Sequence, residues 1–327
     1  MNISDQNCKI SIALAAYKGA EYIAGQLQSL FKQTRQPDEI VISDDSPDDA
    51  TYQAVEPYLP NKTVRYFHNA SPLGITRNFE QAIKLCSGDV IFLCDQDDVW
   101  LPGKVRQMSE ILLSDDNIDA VFCNSTLVNS QLENLDQTLW QLRKFTPAMQ
   151  KKVRSGQALE VFLKRVCCSS HNLAFKRRAL EYLLPFPELE PFYPDTWIGL
   201  SCAAPEKISL IDEVLTLYRI HEHNQSTPGA DSILSARKAR NSNAALRNSL
   251  LTGEIMRRQS GTLNGSQQKM LQKFAAFHAQ RSQYSSNILL RMFQIQQQFF
   301  RARYCRFANG IKTAIADWIF STSSTTH

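Results

Sequence analysis

The residues with the most suggestive spacing are three aspartates within four positions, Asp95, Asp97 and Asp98. They follow Ile91–Leu93, a short apolar run with β-strand character. Three carboxylates this close repel one another, so a buried strand end would disfavour them unless a cation neutralised their charge. Such oxygen ligands suit Mg²⁺ or Mn²⁺, which keep positions open for the oxygens of a diphosphate. An acidic surface turn is the alternative, but Trp100, directly after the acids, favours the metal site.

Strands and helices alternate in the first part of the chain, and they must position these acids. This alternation predicts an α/β fold with a mostly parallel sheet and helices on both faces. Ligands of such sheets bind at the carboxyl ends of the strands, so residues that follow different strands should meet at one edge. The predicted strands before the acids are Lys9–Ala16, Glu39–Ser43 and Thr63–His68, and helices are predicted after Tyr17 and over Thr76–Cys86.

A second acidic pair, Asp44 and Asp45, follows the second predicted strand. A carboxylate there has acceptor atoms for the N3–H of a pyrimidine or for the hydroxyls of a ribose. Neither G-x-G-x-x-G nor G-x-x-x-x-G-K-[ST] occurs in the sequence, which argues against dinucleotide cofactors and P-loop chemistry. The sequence therefore predicts a nucleotide-diphosphate site built from acids and a divalent ion.

Charge is distributed unevenly along the 327 residues. From Asp231 to the end there are 14 Lys and Arg against 3 Asp and Glu, which gives +11, so the net charge of +4 leaves −7 for residues 1–230. The length accommodates one α/β domain plus an accessory region. We predict a catalytic domain over 1–230 and a basic helical region over 231–327.

The eight cysteines show neither C-x-x-C spacing nor the Cys/His pairing of zinc sites, which is typical of a reducing compartment. The first ten residues are polar, unlike a secretory signal, and no run of 18 apolar residues occurs. We therefore expect a cytoplasmic protein, with peripheral attachment to the inner face of the cytoplasmic membrane as a further hypothesis. No nucleic-acid partner is expected.

Six segments, taken in order, resemble family 2 glycosyltransferases with the GT-A fold, which bind nucleotide sugars and use an inverting mechanism. Within that family, CDQDDVW, the D-T-W of residues 195–197 and the closing YR-x-H-x-x-N are similar to bacterial rhamnosyltransferases of surface polysaccharide, including lipopolysaccharide, synthesis. The six segments are KISIALAAYKGAEYIAGQLQSLFKQT, EIVISDDSPDDAT, SPLGITRNFEQAI, GDVIFLCDQDDVWLPGKV, YPDTWIGLSCA and LTLYRIHEHNQS.

The resemblance implies a role for each matching residue. The positions matched to nucleotide-sugar binding are Ala15, Tyr17, Asp44, Asp45, Gly74, Arg77, Asn78 and Asp95. Those matched to the divalent ion are Asp97, Asp98 and His221. Those matched to the acceptor or sugar pocket are Trp100, Ser170, His171, Asn172 and Trp197.

Asp195 matches the general base that takes the proton of the acceptor hydroxyl. Direct displacement inverts the anomeric carbon, so this base must lie opposite the leaving diphosphate. The alternative is that Asp195 caps a helix starting at Thr196. Structural roles are likewise the alternatives for His221, as a hydrogen-bonded group, and for Tyr17, as a packing residue.

Two departures from the family pattern refine these expectations. Ser46, followed by Pro47, replaces the usual glycine after the paired acids, so this turn needs another backbone conformation. No Q-x-x-R-W follows Asp195, and in this family that motif accompanies processive synthesis. The resemblance therefore implies addition of one sugar, or very few, to each acceptor.

The predicted function is transfer of a sugar from a dTDP- or UDP-sugar to a glycan or lipid-linked acceptor, with dTDP-rhamnose as a candidate donor. One alternative is nucleotidyl transfer to a sugar phosphate, for which residues 15–19 are a poor substitute for the usual glycine-rich basic loop. Another is a non-catalytic nucleotide-sugar-binding subunit, against which Asp195 argues.

The basic tail has helical apolar spacing over residues 233–258 and 288–320, with Arg and Lys on the remaining face. Such helices suit an anionic membrane surface, where each basic residue near the headgroups contributes about 1 kcal/mol. The alternative is an accessory domain or homo-oligomer interface in which the apolar stripes pack on one another or on the acidic domain.

Overall fold

The structure, a computed structural model, describes residues 8–189, 192–222, 224, 242–285 and 287–319. The chain divides into two compact units. The first spans residues 1–158, 167–186 and 191–228, and the second spans 159–166, 187–190 and 229–327. The predicted boundary at 230/231 and the first residues of the predicted tail helix, 233–241, lie outside the described residues.

One nine-stranded sheet forms the first unit. In chain order its strands are β1 (Ile10–Ala16), β2 (Glu39–Asp44), β3 (Val64–His68), β4 (Val90–Asp95), β5 (Val99–Trp100), β6 (Ala120–Val128), β7 (Asn134–Thr138), β8 (Leu173–Lys176) and β9 (Ile208–Arg219). They lie side by side in the order β3-β2-β1-β4-β8-β6-β9-β5, with β7 paired to β6.

The first half of the sheet is parallel, as the alternation of strands and helices predicts: β3, β2, β1 and β4 all run in one direction. The second half is mixed. β8 is antiparallel to both β4 and β6, whereas β6 and β9 are parallel. An apolar run predicts a strand but does not encode its direction, so these antiparallel pairs emerge only from the tertiary structure.

Helices flank the sheet because each strand must be followed by a crossover before the next parallel strand. Helix α3 begins after Gly74, whose φ of +81° favours glycine. In chain order the helices are α1 (Ile23–Phe31), α2 (Ala50–Val55), α3 (Ile75–Leu85), α4 (Lys104–Ser114), α5 (Leu139–Leu142), α6 (Pro147–Arg154), α7 (Ala158–Lys164), most of which belongs to the second unit, α8 (Leu180–Leu183) and α9 (Pro194–Ala203).

The core of the first unit lies between the sheet and these helices. Strand residues such as Leu14 and Phe92 are fully buried, and Leu27 of α1 and Met108 of α4 belong to the same apolar cluster. Burying a side chain of this size contributes about 1.5–3 kcal/mol. The sheet is thus a rigid support for the loops at its edge.

Five helices make up the described C-terminal part of the second unit: α10 (Ser242–Arg258), α11 (Gly265–Ser282), α12 (Ile288–Phe300), α13 (Arg303–Phe307) and α14 (Ile311–Ile319). The predicted helical C-terminal region is confirmed, and α11 is an addition that the sequence analysis did not predict. Its start is fixed by a capping box, in which Asn264 and Gln267 satisfy each other's backbone N–H groups.

These helices have an apolar core of their own. Phe277 packs edge-on against Tyr304 with ring centroids 5.2 Å apart, and Phe307 lies against the same ring of Phe277. Asp317 accepts hydrogen bonds from Arg281 at 2.7 and 2.9 Å and from the Tyr304 hydroxyl at 2.8 Å. Among the described residues, no helix has the length and apolar character needed to cross a membrane.

Candidate active site

The carboxyl ends of β1, β2 and β4 meet at one edge of the sheet, as predicted. Ala16 pairs with Asp44 across β1 and β2, and Ala15 pairs with Asp95 across β1 and β4. The acids that follow the two strands therefore lie on either side of the same loop, the one that begins at Tyr17.

The two acids after β2 are buried and already hydrogen-bonded. Asp44 accepts from the Tyr66 hydroxyl at 2.6 Å and from Ser46. Asp45 accepts from the backbone N–H groups of Leu73 and Gly74 at 3.0 and 2.8 Å, and from the Asn69 amide at 2.7 Å. The role of Asp45 toward a pyrimidine stays a prediction, and it requires this carboxylate to share an oxygen with the donors that it already binds.

Ser46 shows how the turn after β2 manages without glycine. Its hydroxyl donates to Asp44 at 2.6 Å and accepts from the backbone N–H of Lys18 at 2.7 Å. It also lies 2.8 Å from the Thr51 hydroxyl. A serine here therefore ties the loop after β1 to the loop after β2, which a glycine has no side chain to do.

The predicted diphosphate residues at the start of α3 contact the protein itself. Asn78 donates to the carbonyl of Ala16 at 2.9 Å, which attaches α3 to the end of β1. Arg77 is half-buried and bonds Glu80 at 2.6 Å and the carbonyl of Phe186 at 3.0 Å. Their predicted contacts with ribose and diphosphate stay predictions.

Gln96, inside the D-x-D-D group, is a positioning residue that the sequence analysis missed. Its side-chain amide accepts from the backbone N–H of Tyr17 and donates to the carbonyl of Tyr17, both at 2.9 Å. A Cβ at Gly19 would collide with the Gln96 amide, so a larger residue there would displace the side chain that makes these two hydrogen bonds. Gln96 therefore fixes the backbone of Tyr17, whose ring is exposed.

A second missed residue, Arg219 at the end of β9, holds the acidic loop. Its backbone N–H donates to Asp98 at 2.9 Å, and its guanidinium donates to the carbonyl of Asp97 at 2.7 Å. Two residues further on, the imidazole Nε2 of His221 lies 2.9 Å from a carboxylate oxygen of Asp97. His221 and Asp97, predicted as ligands of one ion, are therefore direct neighbours.

The other carboxylates of the group face a different histidine. His171 Nδ1 lies 3.8 Å from Asp95 and 3.7 Å from Asp98, and its Nε2 lies 2.9 Å from the Ser125 hydroxyl. The ligand atoms of Asp95, Asp98 and His171 all lie within 4.8 Å of one another. This grouping differs from the sequence expectation, which placed Asp98 with His221 and assigned His171 to the acceptor or sugar pocket.

The pKa values of Asp95, Asp98 and His171 all depart strongly from their ordinary values. Burial, reinforced by the charge of Asp97, raises the pKa of Asp95 and of Asp98 well above its ordinary value of 3.8. Burial and the nearby cation of Lys104 hold the pKa of His171 well below 6.5, so the imidazole is neutral and free to act as a ligand.

Lys104 is a fully buried cation beneath the acids. Its ammonium donates to the carbonyl of His171 and to the Thr216 hydroxyl, and it lies 3.5 Å from the centre of the Trp100 ring. Burial lowers the pKa of Lys104 to about 8. Trp100, predicted for the acceptor or sugar pocket, is 2% exposed and also packs on Phe92, which places it in the core.

Trp197 and Asn172, predicted for the same pocket, are likewise buried. The Trp197 indole donates to the carbonyl of Leu183 at 2.9 Å, and Asn172 accepts from the backbone N–H of Ser169 at 2.8 Å. Both side chains therefore have structural roles, and their contact with substrate stays a prediction.

Asp195 lies in the first turn of α9, which begins at Pro194 with Tyr193 as its cap. The structure therefore differs from the alternative in which Asp195 caps a helix starting at Thr196. Burial raises the pKa of Asp195, and the nearby Arg143 guanidinium partly offsets this effect. A carboxylate with a raised pKa is a stronger proton acceptor than an exposed aspartate.

Two consecutive peptide groups link this aspartate to the acidic group. The backbone N–H of Ser170 lowers the pKa of Asp195, and that of the next residue, His171, lowers the pKa of Asp95, so each amide lies near one of the two carboxylates. The charge of Asp195 is also among the causes that raise the pKa of Asp95, after burial and Asp97. The two carboxylates therefore lie close enough to interact, and both lie near the turn Ser170–Asn172.

The residues present fit a divalent cation. Oδ2 of Asp98 is fully buried and is among the described buried side-chain atoms that have no hydrogen-bond partner. An orphaned carboxylate oxygen costs free energy unless something binds it. Carboxylate oxygens with one neutral imidazole form a donor set that suits Mg²⁺ or Mn²⁺.

The family model for Glycosyl transferase family 2 matches residues 11–184, more than half of the chain. The chain belongs to glycosyltransferase family 2. The matched residues include the strands that carry both acidic groups and the Ser170–Asn172 turn. The predicted enzyme class, a glycosyltransferase, is confirmed.

Curated relatives agree with this assignment. An uncharacterized glycosyltransferase of Nostoc sp., alr2836, is 26% identical over 230 residues, covering 68% of each chain. The UDP-Glc:alpha-D-GlcNAc-diphosphoundecaprenol beta-1,3-glucosyltransferase WfgD of Escherichia coli is 25% identical over 122 residues, covering 37% of this chain and 47% of its own.

Solved structures share the fold, which confirms the predicted GT-A architecture. S. aureus TarS 1-349 in complex with UDP-GlcNAc aligns with a TM-score of 0.56 and 16% identity, covering 89% of this chain and 80% of TarS. The mannosyltransferase PcManGT of Pyrobaculum calidifontis, in complex with GDP-Man and Mn²⁺, aligns with a TM-score of 0.53 and 14% identity, covering 95% and 86%.

Proposed function

We propose that this glycosyltransferase is inverting and metal-dependent, with Asp195 as the general base. The observation that supports this proposal best is that Asp195 lies close enough to Asp95 for its charge to raise the pKa of that carboxyl, with the adjacent amides of Ser170 and His171 beside the two acids. A base placed there can take the proton of an acceptor hydroxyl that attacks the sugar from the side away from the diphosphate. Positioning the two reactants in this way accounts for much of the rate enhancement expected of such a site.

The chain's own residues would divide the remaining work. Asp97 with His221, and Asp95 with Asp98 and His171, are the groups that would hold Mg²⁺ or Mn²⁺. When bound, the ion would stabilise the charge that develops on the departing diphosphate. Lys104 would reduce the repulsion among the crowded carboxylates before the donor arrives, because the charge of its buried ammonium lowers the pKa of both Asp95 and Asp98.

The donor that we propose is a dTDP- or UDP-sugar, with rhamnose as the candidate sugar. TarS binds UDP-GlcNAc and PcManGT binds GDP-Man in their solved complexes, which supports a nucleoside-diphosphate sugar as the class of donor. The similarity of CDQDDVW and YR-x-H-x-x-N to rhamnosyltransferases supports the narrower choice.

The acceptor that we propose is a lipid-linked glycan of surface polysaccharide synthesis, presented at the inner face of the cytoplasmic membrane. The name of the relative WfgD, which acts on a diphosphoundecaprenol-linked sugar, supports this acceptor class. In this proposal residues 1–230 form the catalytic domain, and the basic helical region 231–327 associates with the membrane.

The experiment is incubation of the full chain with a panel of UDP-, dTDP- and GDP-sugars, each with Mn²⁺, Mg²⁺ or EDTA, followed by mass spectrometry. We expect donor hydrolysis or transfer with dTDP- or UDP-sugars in the metal-containing samples. Turnover with GDP-sugars alone would contradict our assignment of a uracil or thymine nucleotide as the donor. Equal turnover in EDTA would contradict metal dependence. Asp195→Asn serves as the inactive control.

A further inference from the structure

Helix α12 buries polar residues and exposes apolar ones, whereas an ordinary surface helix buries its apolar side. The residues that it buries are Arg291, Ile295 and Gln298, at i, i+4 and i+7, two of which are polar. The opposite side exposes Leu289, Phe293 and Phe300, which are 74%, 56% and 80% accessible to solvent. A helix that packs only against its own unit would show the reverse pattern.

Both buried polar residues make hydrogen bonds within the unit, which favours this orientation of α12, although the Nε atom of Arg291 has no hydrogen-bond partner. Arg291 donates to the carbonyl of Ser285 at 3.2 Å, and Gln298 bonds both Gln280 and Arg303. Turning the helix over would bury the apolar side but would remove these hydrogen bonds. The exposed side is therefore held outward by the unit itself. We name Leu289, Phe293 and Phe300 the α12 apolar face.

Basic residues accompany this face, and acids are almost absent. Residues 287–319 contain a single acid, Asp317, which the salt bridge to Arg281 already engages. The five basic residues of the same stretch are Arg291, Arg301, Arg303, Arg306 and Lys312, and Arg301, Arg306 and Lys312 are exposed.

We propose that the α12 apolar face inserts into the surface of an anionic lipid bilayer. Apolar side chains would enter the boundary of the acyl chains, while Arg301, Arg306 and Lys312 would contact anionic headgroups. The helix has 13 residues, about 20 Å at 1.5 Å per residue, so it would lie in the plane of the membrane rather than span it. This inference uses the proposed function only to explain why a membrane is useful: it brings the enzyme to a lipid-linked acceptor.

A second copy of the chain is another occupant to weigh. A two-fold interface places the same patch of both copies together, so the exposed arginines of one copy would approach those of the other with no local acid to pair them. The headgroups of an anionic bilayer supply the negative charge that these exposed arginines lack. The charge pattern therefore favours lipid.

The test is flotation of the full chain with vesicles of phosphatidylcholine alone or mixed with phosphatidylglycerol. We expect binding to the anionic vesicles that weakens as salt is raised, and little binding to phosphatidylcholine alone. Leu289→Glu combined with Phe300→Glu should lower the partition coefficient between vesicles and water about tenfold or more. The reason is that two side chains lose the favourable free energy of transfer from water into the apolar part of the bilayer. The matched control is Leu250→Glu on α10, a leucine that is 45% exposed and lies outside the face.

Three outcomes overturn the inference: no flotation of the unaltered chain, equal flotation of the double variant, or a concentration-dependent dimer that the double variant dissolves. Arg301→Glu with Arg306→Glu gives a second, independent variant, expected to lose binding to anionic vesicles with its thermal unfolding unchanged. Donor hydrolysis measured without vesicles keeps the two proposals apart. If hydrolysis persists while flotation fails, the membrane face is rejected and the proposed function stands.

Discussion

The acids that follow β2 and those that follow β4 look alike in sequence but occupy opposite states in the structure. Asp44 and Asp45 are buried with their oxygens accepting protein donors at 2.6–3.0 Å. Among the acids after β4, Asp98 keeps a buried oxygen without a partner, and the pKa of Asp95 and of Asp98 is raised well above the ordinary value. The first group is hydrogen-bonded within the protein and shapes a loop, whereas the second group keeps a buried oxygen without a hydrogen-bond partner, where we propose that a divalent ion binds.

The largest expected effect tests the chemistry on the β4 side. Asp195→Asn removes the proton acceptor but keeps the size of the side chain, so we expect turnover to fall about 10²–10⁴-fold. Donor affinity, measured by calorimetry with the nucleoside diphosphate, should stay within a few-fold. Asp212→Asn, an exposed acid, is the control. Equal loss of donor binding in Asp195→Asn would assign this residue a structural role instead.

The next effect separates the two acidic groups by their dependence on metal. Asp97→Asn removes one charge from the β4 group, and we expect nucleotide binding in Mn²⁺ to weaken about tenfold or more, toward the affinity measured in EDTA. Calorimetry with and without Mn²⁺ measures this difference. Asp116→Asn, at an almost fully exposed acid, should leave it unchanged. A metal response that survives in Asp97→Asn would place the ion elsewhere.

The pH profile tests whether burial has tuned the base. Asp195 accepts a proton only when ionised, so kcat should rise with pH as this carboxyl loses its proton. Because burial raises its pKa, the acid limb should lie above the ordinary value of 3.8, and the rate should fall about tenfold for each pH unit below the limb. A limb at or below 3.8, with the fold intact by circular dichroism, would contradict the raised pKa.

A smaller effect, on stability, is expected when a carboxylate of the β2 group is removed. Asp45→Ala leaves the N–H groups of Leu73 and Gly74 without their acceptor, so the free energy of unfolding should fall by about 1–3 kcal/mol. Urea unfolding measures this loss, and Asp49→Ala, an exposed neighbour whose side chain makes no capping hydrogen bond to α2, is the control. If Asp45→Ala keeps its stability but loses donor binding, the group is a ligand site after all and the contrast with β4 disappears.

The smallest effect concerns the link between the two groups. Gln96→Ala removes both hydrogen bonds to the Tyr17 backbone, and we expect a few-fold rise in KM for the donor with little change in kcat. Gln96→Glu keeps the acceptor atom and loses the donor, so its KM should fall between those of Gln96→Ala and the unaltered chain. Identical kinetics in all three would show that Gln96 does not position this loop.

By itself, the sequence determined the order of the elements and the edge at which the acids meet. Apolar runs such as Ile91–Leu93 end directly at carboxylates, and the carboxyl ends of parallel strands must share an edge. The early strands and the helical tail follow from such local patterns, and the glycosyltransferase class followed from the resemblance of six segments to a known family. The direction of β8 did not, because strand pairing depends on residues far apart in the chain.

Only the tertiary structure decided which acids have hydrogen-bond partners and which buried carboxylate oxygen has none. His171 is more than 70 residues from Asp95 and Asp98, and Arg219 reaches Asp98 across 121 positions. The free energy of a buried polar atom depends on partners that folding brings to it, and spacing along the chain does not encode them. For the same reason, the periodicity of residues 288–300 predicted a helix with an apolar side, but only the packing of Arg291 and Gln298 showed that this side faces outward.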